Sequence, residues 1–509
     1  MALLTMPDNT PEKLTPERVN IVWLKRDLRL RDHEPLYIAH QNGQPVLLLY
    51  VVEDILQQDP HMDIRHWRFI WQSLKDIEQQ LALFASPLSV TSGDFLQTLW
   101  LLKKQFGRFN LFSQQEIGLE NTFKRDREVA AWCEKNDIFW HETPCGAVIR
   151  GLTNREHWDK HWQKTMRSAT ADVVLEDVNW INRAQIDIPK FIPPESWLAT
   201  QETFQPGGEK RAWYTLHNFF KERGKDYAWS ISKPEASRRA CSRLSPYLAW
   251  GNISLRQVYQ FTLTHWDKKG WRRALVAFVS RLHWHCHFIQ KFESECAMEG
   301  RPVNQAYQHF QYDDSPQSEI ILRAWQTGNT GIPLVDACMR CLQQTGYINF
   351  RMRAMLVSYL VHHLDIDWRR GVSHLGKLFL DFEPGIHYPQ FQMQAGVTGA
   401  NMIRIYNPIK QGQEHDPDGE FIKKWVPELR ILDAPLIHTP WQISPIEAQM
   451  FDFEPGKTYP LPIVLPEDSY KQAQQKHWSF RKRDDVKQEG KRILARHTVP
   501  STRHKYKRG

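Results

Sequence analysis

The stretch VNIVWLKRDLRLRD, residues 19–32, joins an apolar segment to a highly charged one. Its first six residues are mostly β-branched, aromatic or aliphatic, which is typical of a strand that is covered on both faces. The eight residues from Lys25 to Asp32 then carry four basic and two acidic side chains. In a parallel sheet they would lie at the carboxyl edge, where such sheets bind ligands. The charges therefore predict either a ligand-binding edge or a cluster of salt bridges between domains.

Four more apolar segments follow at the spacing of a parallel α/β domain. They are PVLLLYVVED, LSVTSGD, FNLFS and DIFWHE, separated by amphipathic stretches such as HWRFIWQSLKDIEQQLALF. From Lys210 to about Leu429 the periodicity is helical, and Gly346 is placed to end one helix. We predict an α/β domain at 18–148, an interdomain linker at 149–205, a mostly α domain at 206–478 and a basic, frayed tail at 479–509.

The composition is that of an ordinary globular protein. Of 509 residues, 41% are hydrophobic and 24% charged, which excludes disordered and low-complexity classes. No apolar stretch approaches about 18 residues and no signal pattern is present, so we expect a cytoplasmic protein without a membrane partner. The net charge of +8 resides in residues 476–509, which hold twelve Lys and Arg against three Asp and Glu. This tail is either an arm for nucleic acid or a solubilising segment.

The usual nucleotide-binding signatures of α/β domains are missing from the sequence. No G-x-G-x-x-G follows the first strand, and Gly456-Lys457-Thr458 lacks the earlier glycine of a phosphate loop. Dehydrogenases and NTPases built on those motifs are therefore excluded. The seven cysteines are unevenly spread, which indicates free thiols in a reducing compartment.

Four segments of the chain resemble the cryptochrome/photolyase family. They are IVWLKRDLRLRDHEPL at 21–36, CSRLSPYLAWGNIS at 241–254, TGNTGIPLVDACMRCLQQTGYINFRMR at 327–353 and RIYNPIKQGQEHDPDGEFIKKWVPEL at 404–429. The resemblance implies an α/β antenna domain, a long linker and a helical domain that holds FAD. It also implies a use of light, since the excited reduced flavin either repairs a pyrimidine dimer or serves a photoreceptor.

Candidate cofactor residues fall within these segments. Ser242 and Ser245 stand where a helix opens and can donate to a diphosphate, although plain helix caps use serines in the same way. The resemblance places Cys241 where the family has threonine. It makes Arg353 and Asp381 a charge pair beside the flavin ring, with an ordinary buried salt bridge as the alternative. The full predicted cofactor set is Tyr227, Cys241, Ser242, Arg243, Leu244, Ser245, Arg353, Asp381 and Glu383.

Electron supply to a flavin needs side chains that ionise easily, which Trp and Tyr do and Phe does not. The family's chain of three tryptophans falls here on Phe391, Trp368 and Tyr312. The electron-transfer step nearest the flavin is therefore blocked, because Phe391 does not ionise easily. Either another aromatic such as Tyr388 substitutes, or reductant reaches the flavin by another path. His387 falls near flavin N5, where it can donate a hydrogen bond or shuttle a proton, or be a satisfied core histidine. The predicted catalytic set is Trp368, Tyr312 and His387, with core packing as the alternative for Trp368.

One helix is predicted to face the substrate. Enzymes of this family flip the dimer out of the duplex, stack it on aromatic rings and hold the phosphates with basic groups. Trp284 matches the stacking tryptophan, and the segment from it to Lys291 matches the DNA-facing helix. Arg281 replaces the glutamate, and Phe350 the asparagine, of cyclobutane-dimer enzymes. Trp284, Arg281 and Lys291 are therefore the predicted substrate contacts, with core packing as the alternative for Trp284.

The leading prediction is a monomeric deoxyribodipyrimidine photo-lyase that uses FAD and blue light to repair pyrimidine dimers in DNA, cyclobutane dimers being favoured. The alternatives are a cryptochrome-like blue-light photoreceptor without repair activity and a flavin-bearing nucleic-acid binder without photochemistry. A second antenna chromophore is expected to be a folate, a deazaflavin or a flavin, with Glu116 and Glu120 as candidates for a folate contact. Family members with an iron–sulfur cluster carry further cysteines after the position of Cys341, the last one here, so we predict no metal site.

Overall fold

The structure is a computed structural model that describes residues 18–84 and 87–498. It opens with a five-stranded parallel sheet in the order β3-β2-β1-β4-β5. The strands are β1 (Val19–Leu24), β2 (Val46–Glu53), β3 (Leu88–Gly93), β4 (Phe109–Gln114) and β5 (Phe139–Thr143). Each strand begins and ends within two residues of the segment expected from the sequence. The predicted α/β class of this part is confirmed.

Helices cover both faces of the sheet, which explains why its central strands are buried along almost their whole length. They are α1 (Glu34–Gln41), α2 (Asp54–Gln57), α3 (Ile64–Gln80), α4 (Phe95–Phe106) and α5 (Glu120–Lys135). Ile21 and Trp23 of β1 share a core with α4 and α5, whereas Val22 and Leu24 pack on the opposite side with α1 and α3. The strand order reverses between β1 and β4, and such a switch point opens a crevice at the carboxyl ends of the strands.

The connection predicted as a linker is partly helical. It contains α6 (Trp158–Arg167) and α7 (Glu195–Leu198). The ring of Trp162 in α6 lies 5.1 Å from that of Tyr259 in the helical part of the chain. Val46 of β2 forms a bridge with Trp180. The connection is therefore docked on both parts that it joins.

The rest of the described chain is mostly helical, as predicted. Its helices are α8 (Glu209–Asn218), α9 (Tyr227–Ser230), α10 (Ala236–Ala240), α11 (Ser245–Ala249), α12 (Leu255–Thr264), α13 (Arg272–Ser294), α14 (Pro316–Thr327), α15 (Pro333–Thr345), α16 (Phe350–Ser358), α17 (Arg369–Leu378), α18 (Pro384–Gln394), α19 (Pro408–His415), α20 (Glu420–Trp425), α21 (Pro445–Met450), α22 (Pro466–Arg481) and α23 (Asp484–His497). Gly346 ends α15 in the left-handed conformation, with φ of 67°, as its position predicts.

Two of these helices, α13 and α18, pack closely and position the functional site. A Cβ atom at Gly385 of α18 would lie 3.0 Å from the Cα of Ile289 in α13, so a larger residue would push the two helices apart. Within residues 18–84 and 87–498, no helix has both the length and the apolar character needed to cross a membrane.

The charged loop after β1 connects the two parts of the chain. Arg26 donates to the carbonyl oxygen of Ala249 at 3.1 Å, and its guanidinium lies 4.3 Å from the ring centroid of Trp250. Asp32 forms an ion pair with Arg256 of α12. Salt bridges between the two parts therefore form at this loop. Lys25 and Arg26 also line a pocket at the carboxyl edge of the sheet, so the ligand-binding interpretation stays a prediction.

The C-terminal segment is more ordered than its composition predicts. Val486 and Ile493 of α23 are buried, and Nη1 of Arg492 lies 2.6 Å from Oε1 of Glu295 at the end of α13. The expectation of a frayed tail from residue 479 is wrong as far as Thr498, because apolar side chains seven residues apart dock α23 on the core. The last part of that predicted tail, residues 499–509, lies outside the described residues.

Candidate functional site

A cavity of about 530 Å³ opens between α13, α16 and α18. A narrower pocket lined by Arg353, Asp381 and His387 adjoins it. The two share four lining residues, namely Phe350, Ile386, Gln390 and Gln394. The two pockets are therefore neighbours, and an ion pair lies on the wall of the narrower one.

Arg353 and Asp381 form that ion pair. Nη2 of Arg353 donates to Oδ1 and Oδ2 of Asp381 at 2.8 and 2.7 Å. Burial opposes ionisation of the carboxyl, but the charge and hydrogen bonds of Arg353 outweigh it and hold the pKa of Asp381 below its usual range. The narrow pocket is therefore lined by two opposite charges that neutralise each other and are held together by hydrogen bonds.

The CSRLS loop holds a partly buried cation in an uncommon conformation. Arg243 has φ of 63°, and its guanidinium lies 3.6 Å from the ring centroid of Tyr347. Its Nε donates to Gln205 at 3.1 Å, whereas its buried Nη1 has no hydrogen-bond partner among the described residues. Burial lowers the pKa of Arg243. None of the ion pairs among the described residues includes Arg243, and the carboxylate that acts on its charge is that of Asp381, which is paired with Arg353.

These features fit the diphosphate of FAD. A buried guanidinium with a free donor is costly unless an anion approaches it. Arg223 stabilises the same loop by donating to the carbonyl oxygens of Cys241 and Ser242, the latter at 2.8 Å. Ser245 begins α11, and the N–H of Leu244 donates to the Ser242 hydroxyl at 3.4 Å. The predicted residues Cys241 to Ser245 thus form the loop that leads into α11.

The two remaining predicted cofactor residues, Tyr227 and Glu383, have different surroundings. Tyr227 is buried between Phe219 and Phe278, with ring distances of 5.8 Å to each. Glu383 lines the narrow pocket but lies 3.7 Å from Nε of Arg26, on the contact between the two parts of the chain. Burial raises the pKa of Glu383.

His387 lies in the narrow pocket with one ring nitrogen already engaged. Its Nε2 lies 2.8 Å from the carbonyl oxygen of Val372, to which it donates. Burial lowers the pKa of His387 to about 3, so the imidazole is neutral. Because Nε2 carries the proton, Nδ1 is an acceptor. His387 therefore offers Nδ1 as a hydrogen-bond acceptor in this pocket, and its role near flavin N5 stays a prediction.

Phe391 lies between Trp368, one of the predicted relay residues, and His387 in the narrow pocket. The Trp368 ring lies 6.4 Å from that of Phe391, and Phe391 lies 5.6 Å from His387. Tyr312 has a buried hydroxyl with no hydrogen-bond acceptor in the described part of the chain. A residue that does not ionise easily therefore separates Trp368 from the pocket.

The predicted substrate residues divide into two groups. Trp284 is 44% exposed and lines the large cavity together with Arg281, so the core-packing alternative for Trp284 is wrong. Lys291 is only 8% exposed and does not line the cavity, and burial lowers its pKa to about 8. The structure therefore does not place Lys291 where DNA would meet it.

Two arginines of the cavity were not predicted. Arg351 and Arg404 line it, and the buried Nε of Arg351 has no partner among the described residues. Both belong to segments that already carried the family resemblance, so the signal was present in RMR at 351–353 and RIYNP at 404–408. None of the described lining residues is Asp or Glu.

The candidates for an antenna contact are both engaged in ion pairs. Glu116 accepts from Nη2 of Arg125 at 2.9 Å in a buried network at the carboxyl edge of the sheet. Lys25 extends this network through Asp126, also at 2.9 Å. Glu120 pairs at the surface with Arg127 at 2.7 Å. The antenna site stays a prediction.

Comparison with known proteins gives a consistent result. A sequence profile described as DNA photolyase matches residues 20–151, and one described as FAD binding domain of DNA photolyase matches residues 278–479. The chain is 26% identical to a cryptochrome DASH of Synechocystis sp., covering 87% of this chain and 94% of that protein. It is 27% identical to a deoxyribodipyrimidine photo-lyase of Vibrio cholerae, covering 85% and 95%.

A solved structure agrees with the sequence comparisons. The crystal structure of a bacterial class III photolyase from Agrobacterium tumefaciens superposes with a TM-score of 0.80 at 25% identity. The match covers 94% of this chain and all of that one.

Proposed function

The chain belongs to the cryptochrome/photolyase family, and we propose that it is a light-driven deoxyribodipyrimidine photo-lyase with FAD as its cofactor. The proposed substrate is DNA that contains pyrimidine dimers, with cyclobutane dimers favoured. One observation carries this proposal: a half-exposed Trp284 forms part of a cavity of about 530 Å³ whose charged lining residues are Arg281, Arg351 and Arg404. An aromatic ring supports a flipped base, and arginines neutralise phosphates.

Each part of the site has a separate task in this proposal. Arg243 and its loop hold the diphosphate, and the pair Arg353 and Asp381 lies beside the flavin ring. FAD supplies the light-driven electron when it is bound and reduced. Trp284 stacks the lesion, and the neutral His387 offers an acceptor in the narrow pocket.

A photoreceptor without repair activity is the second candidate. Phe350 lines both the cavity and the narrow pocket, and Arg281 faces the cavity. These two residues replace the asparagine and glutamate that the family's cyclobutane-dimer enzymes carry. An apolar ring and a cation offer no hydrogen-bond acceptor to a flipped dimer. A cavity altered in this way favours a protein that binds the flavin but does not repair a DNA lesion.

The deciding experiment illuminates the reduced protein with dimer-containing DNA, single- and double-stranded, and measures repaired bases. We expect repair, and we expect Trp284→Ala to weaken binding of damaged DNA by roughly 10-fold or more, since stacking contributes about 1–3 kcal/mol per base. The matched control is Trp229→Ala. Trp229 is 64% exposed, stacks on Arg273 and lies outside the cavity lining.

The two candidates predict different results from this measurement. A flavin that is retained and responds to light, without repair of either DNA form, would support the photoreceptor. Equal loss of DNA binding in Trp284→Ala and Trp229→Ala would show that the cavity does not bind the lesion as proposed.

A further inference from the structure

Three hydrogen-bonded side chains connect α18 with the α/β part of the chain. The Tyr388 hydroxyl lies 2.8 Å from Nε2 of His61, and Nδ1 of His61 lies 2.7 Å from Oδ1 of Asp59. A carboxylate only accepts, so Nδ1 carries the imidazole proton and Nε2 is the acceptor. The Tyr388 hydroxyl therefore donates to His61.

Asp59 is held in its charged form. Its Oδ2 accepts from Nδ2 of Asn121 at 2.8 Å, and its Oδ1 also accepts from the main-chain N–H of His61 at 2.8 Å. Burial opposes ionisation, but these bonds and the imidazole of His61 hold the pKa of Asp59 below its usual range. A fixed negative charge therefore stands behind His61, where it would stabilise an imidazolium.

His61 is fixed on both sides by residues of the helical part. Its ring stacks on Phe382 with centroids 4.9 Å apart and planes 8° apart. A Cβ atom at Gly376 of α17 would lie 2.9 Å from Cδ2 of His61, so the absence of a side chain at this position admits the ring. The imidazole is thus held in one orientation towards Tyr388.

Tyr388 lies one ring away from the pocket predicted for the flavin. It is 3% exposed, and its ring lies 5.9 Å from that of His387, which lines that pocket beside Arg353 and Asp381. Phe391 separates Trp368 from the same pocket. Tyr388 and Trp368 are therefore oxidisable rings that each lie one ring away from this pocket, Tyr388 behind His387 and Trp368 behind Phe391.

Removal of an electron from a buried tyrosine requires a place for its proton. Burial raises the pKa of Tyr388, so the phenol keeps its proton at rest. An oxidised phenol is strongly acidic, and loss of the proton to a nearby base makes the oxidation easier. Tyr388 has such a base in His61, whereas Tyr312 has no acceptor in the described part of the chain.

We propose that Tyr388 is the proton-coupled electron donor for photoreduction of the flavin, with His61 as proton acceptor and Asp59 as the residue that positions His61. In this step the phenol O–H bond breaks, its electron passes to the photoexcited oxidised flavin, and its proton passes to Nε2 of His61. The products on the protein are a neutral tyrosyl radical and an imidazolium paired with Asp59. The inference rests on FAD in the site and is independent of dimer repair.

The test excites the oxidised flavoprotein with a light flash in H₂O and in D₂O. Transient absorption and electron paramagnetic resonance, with ring-deuterated tyrosine for assignment, identify the radical. We expect a neutral tyrosyl radical that forms more slowly in D₂O and is lost in Tyr388→Phe. It should persist in the matched control Tyr307→Phe, which removes another buried hydroxyl that has no partner in the described chain.

Variants of the proton acceptor test the coupling itself. His61→Gln keeps a hydrogen-bonding side chain that takes no proton, and it should slow radical formation by roughly 100-fold, the usual contribution of a positioned base. Nitrogen-15 NMR of the resting protein should show His61 protonated at Nδ1. That readout does not depend on flavin photochemistry.

Each contrary result would overturn the inference. Such results are an unchanged radical in Tyr388→Phe, a wild-type tryptophan radical without a D₂O effect, or equal rates in wild type and His61→Gln. The D₂O comparison uses the wild-type protein, so it decides even where a variant folds poorly. Chemically pre-reduced protein does not need this photoreduction step. A failure of dimer repair is therefore distinguishable from a failure of this inference.

Discussion

Nη2 of Arg353 bridges both carboxylate oxygens of Asp381, at 2.8 and 2.7 Å, on the wall of the narrow pocket. In Asp381→Asn the guanidinium would keep its burial and lose its counter-charge. Because the Arg353 side chain is still 22% exposed, we expect a loss of roughly 1–3 kcal/mol in the free energy of unfolding, less than for a fully buried pair. Flavin content per protein should fall as well.

Urea unfolding and flavin absorbance of the purified variant measure both effects. The control is Asp433→Asn, which breaks an exposed ion pair with Lys423 and should change neither quantity measurably. Full flavin occupancy in Asp381→Asn would assign the pair a structural role alone.

Arg243→Met tests the diphosphate loop. The variant removes the buried guanidinium whose Nη1 lacks a partner among the described residues, so FAD should bind about 10-fold or more weakly. Riboflavin carries no phosphate, and its binding should change little. Fluorescence titration of flavin-depleted protein with each ligand separates the two, with the exposed Arg239→Met as control. A parallel loss of FAD and riboflavin binding would contradict a diphosphate contact.

Local sequence signals predict the parts of this protein whose determinants are local. The strands follow from apolar runs that are buried on both faces, and β1 carries its charged loop within fourteen consecutive residues. The pair Arg353 and Asp381 and the loop around Arg243 followed from motif resemblance. In these cases the informative residues are close in sequence or belong to a recognisable segment.

Contacts between distant segments were not predictable in the same way. Tyr388 and His61 are 327 residues apart, and nothing in the loop around His61 marks it as a partner. Lys291 was misplaced because α13 is packed on several sides, and a helical period alone does not say which face meets the cavity. The seven-residue spacing of Val486 and Ile493 indicates that α23 docks on the core. The many charged residues around them made this pattern hard to recognise.

The position of Phe391 predicts a rescue experiment. In Tyr388→Phe, photoreduction should be slow, because the proposed donor is missing and Phe391 separates Trp368 from the pocket. Adding Phe391→Trp to that variant should restore it, since the two rings at these positions lie 6.4 Å apart. The measurement is the rate of flavin reduction under blue light with an external thiol.

A third substitution controls this rescue. Adding Trp368→Phe to the double variant should abolish the recovered rate, because the tryptophan introduced at position 391 would then have no oxidisable neighbour at position 368. A double variant as slow as Tyr388→Phe alone would show that no electron path passes through Trp368.

His477 predicts a specific loss of stability in acid. It is buried on α22, its two ring nitrogens have no partner in the described chain, and burial lowers its pKa to about 3. The unfolded chain binds a proton at this residue below about pH 6.5, whereas the folded protein does not, so the unfolded state gains protons first. The stability of the wild type therefore falls as the pH drops from about 6.5 towards 3, by up to about 1.4 kcal/mol per pH unit for this group.

His477→Leu isolates that contribution, because the other titrating groups are common to both proteins. We expect the variant to gain stability relative to the wild type progressively between about pH 6.5 and pH 5, where the difference should reach roughly 2 kcal/mol. Urea unfolding at a series of pH values measures it, with the exposed His309→Leu as control. A difference between variant and wild type that stays constant with pH would show that His477 accepts a proton in the folded state and that its burial is relieved by a small local movement.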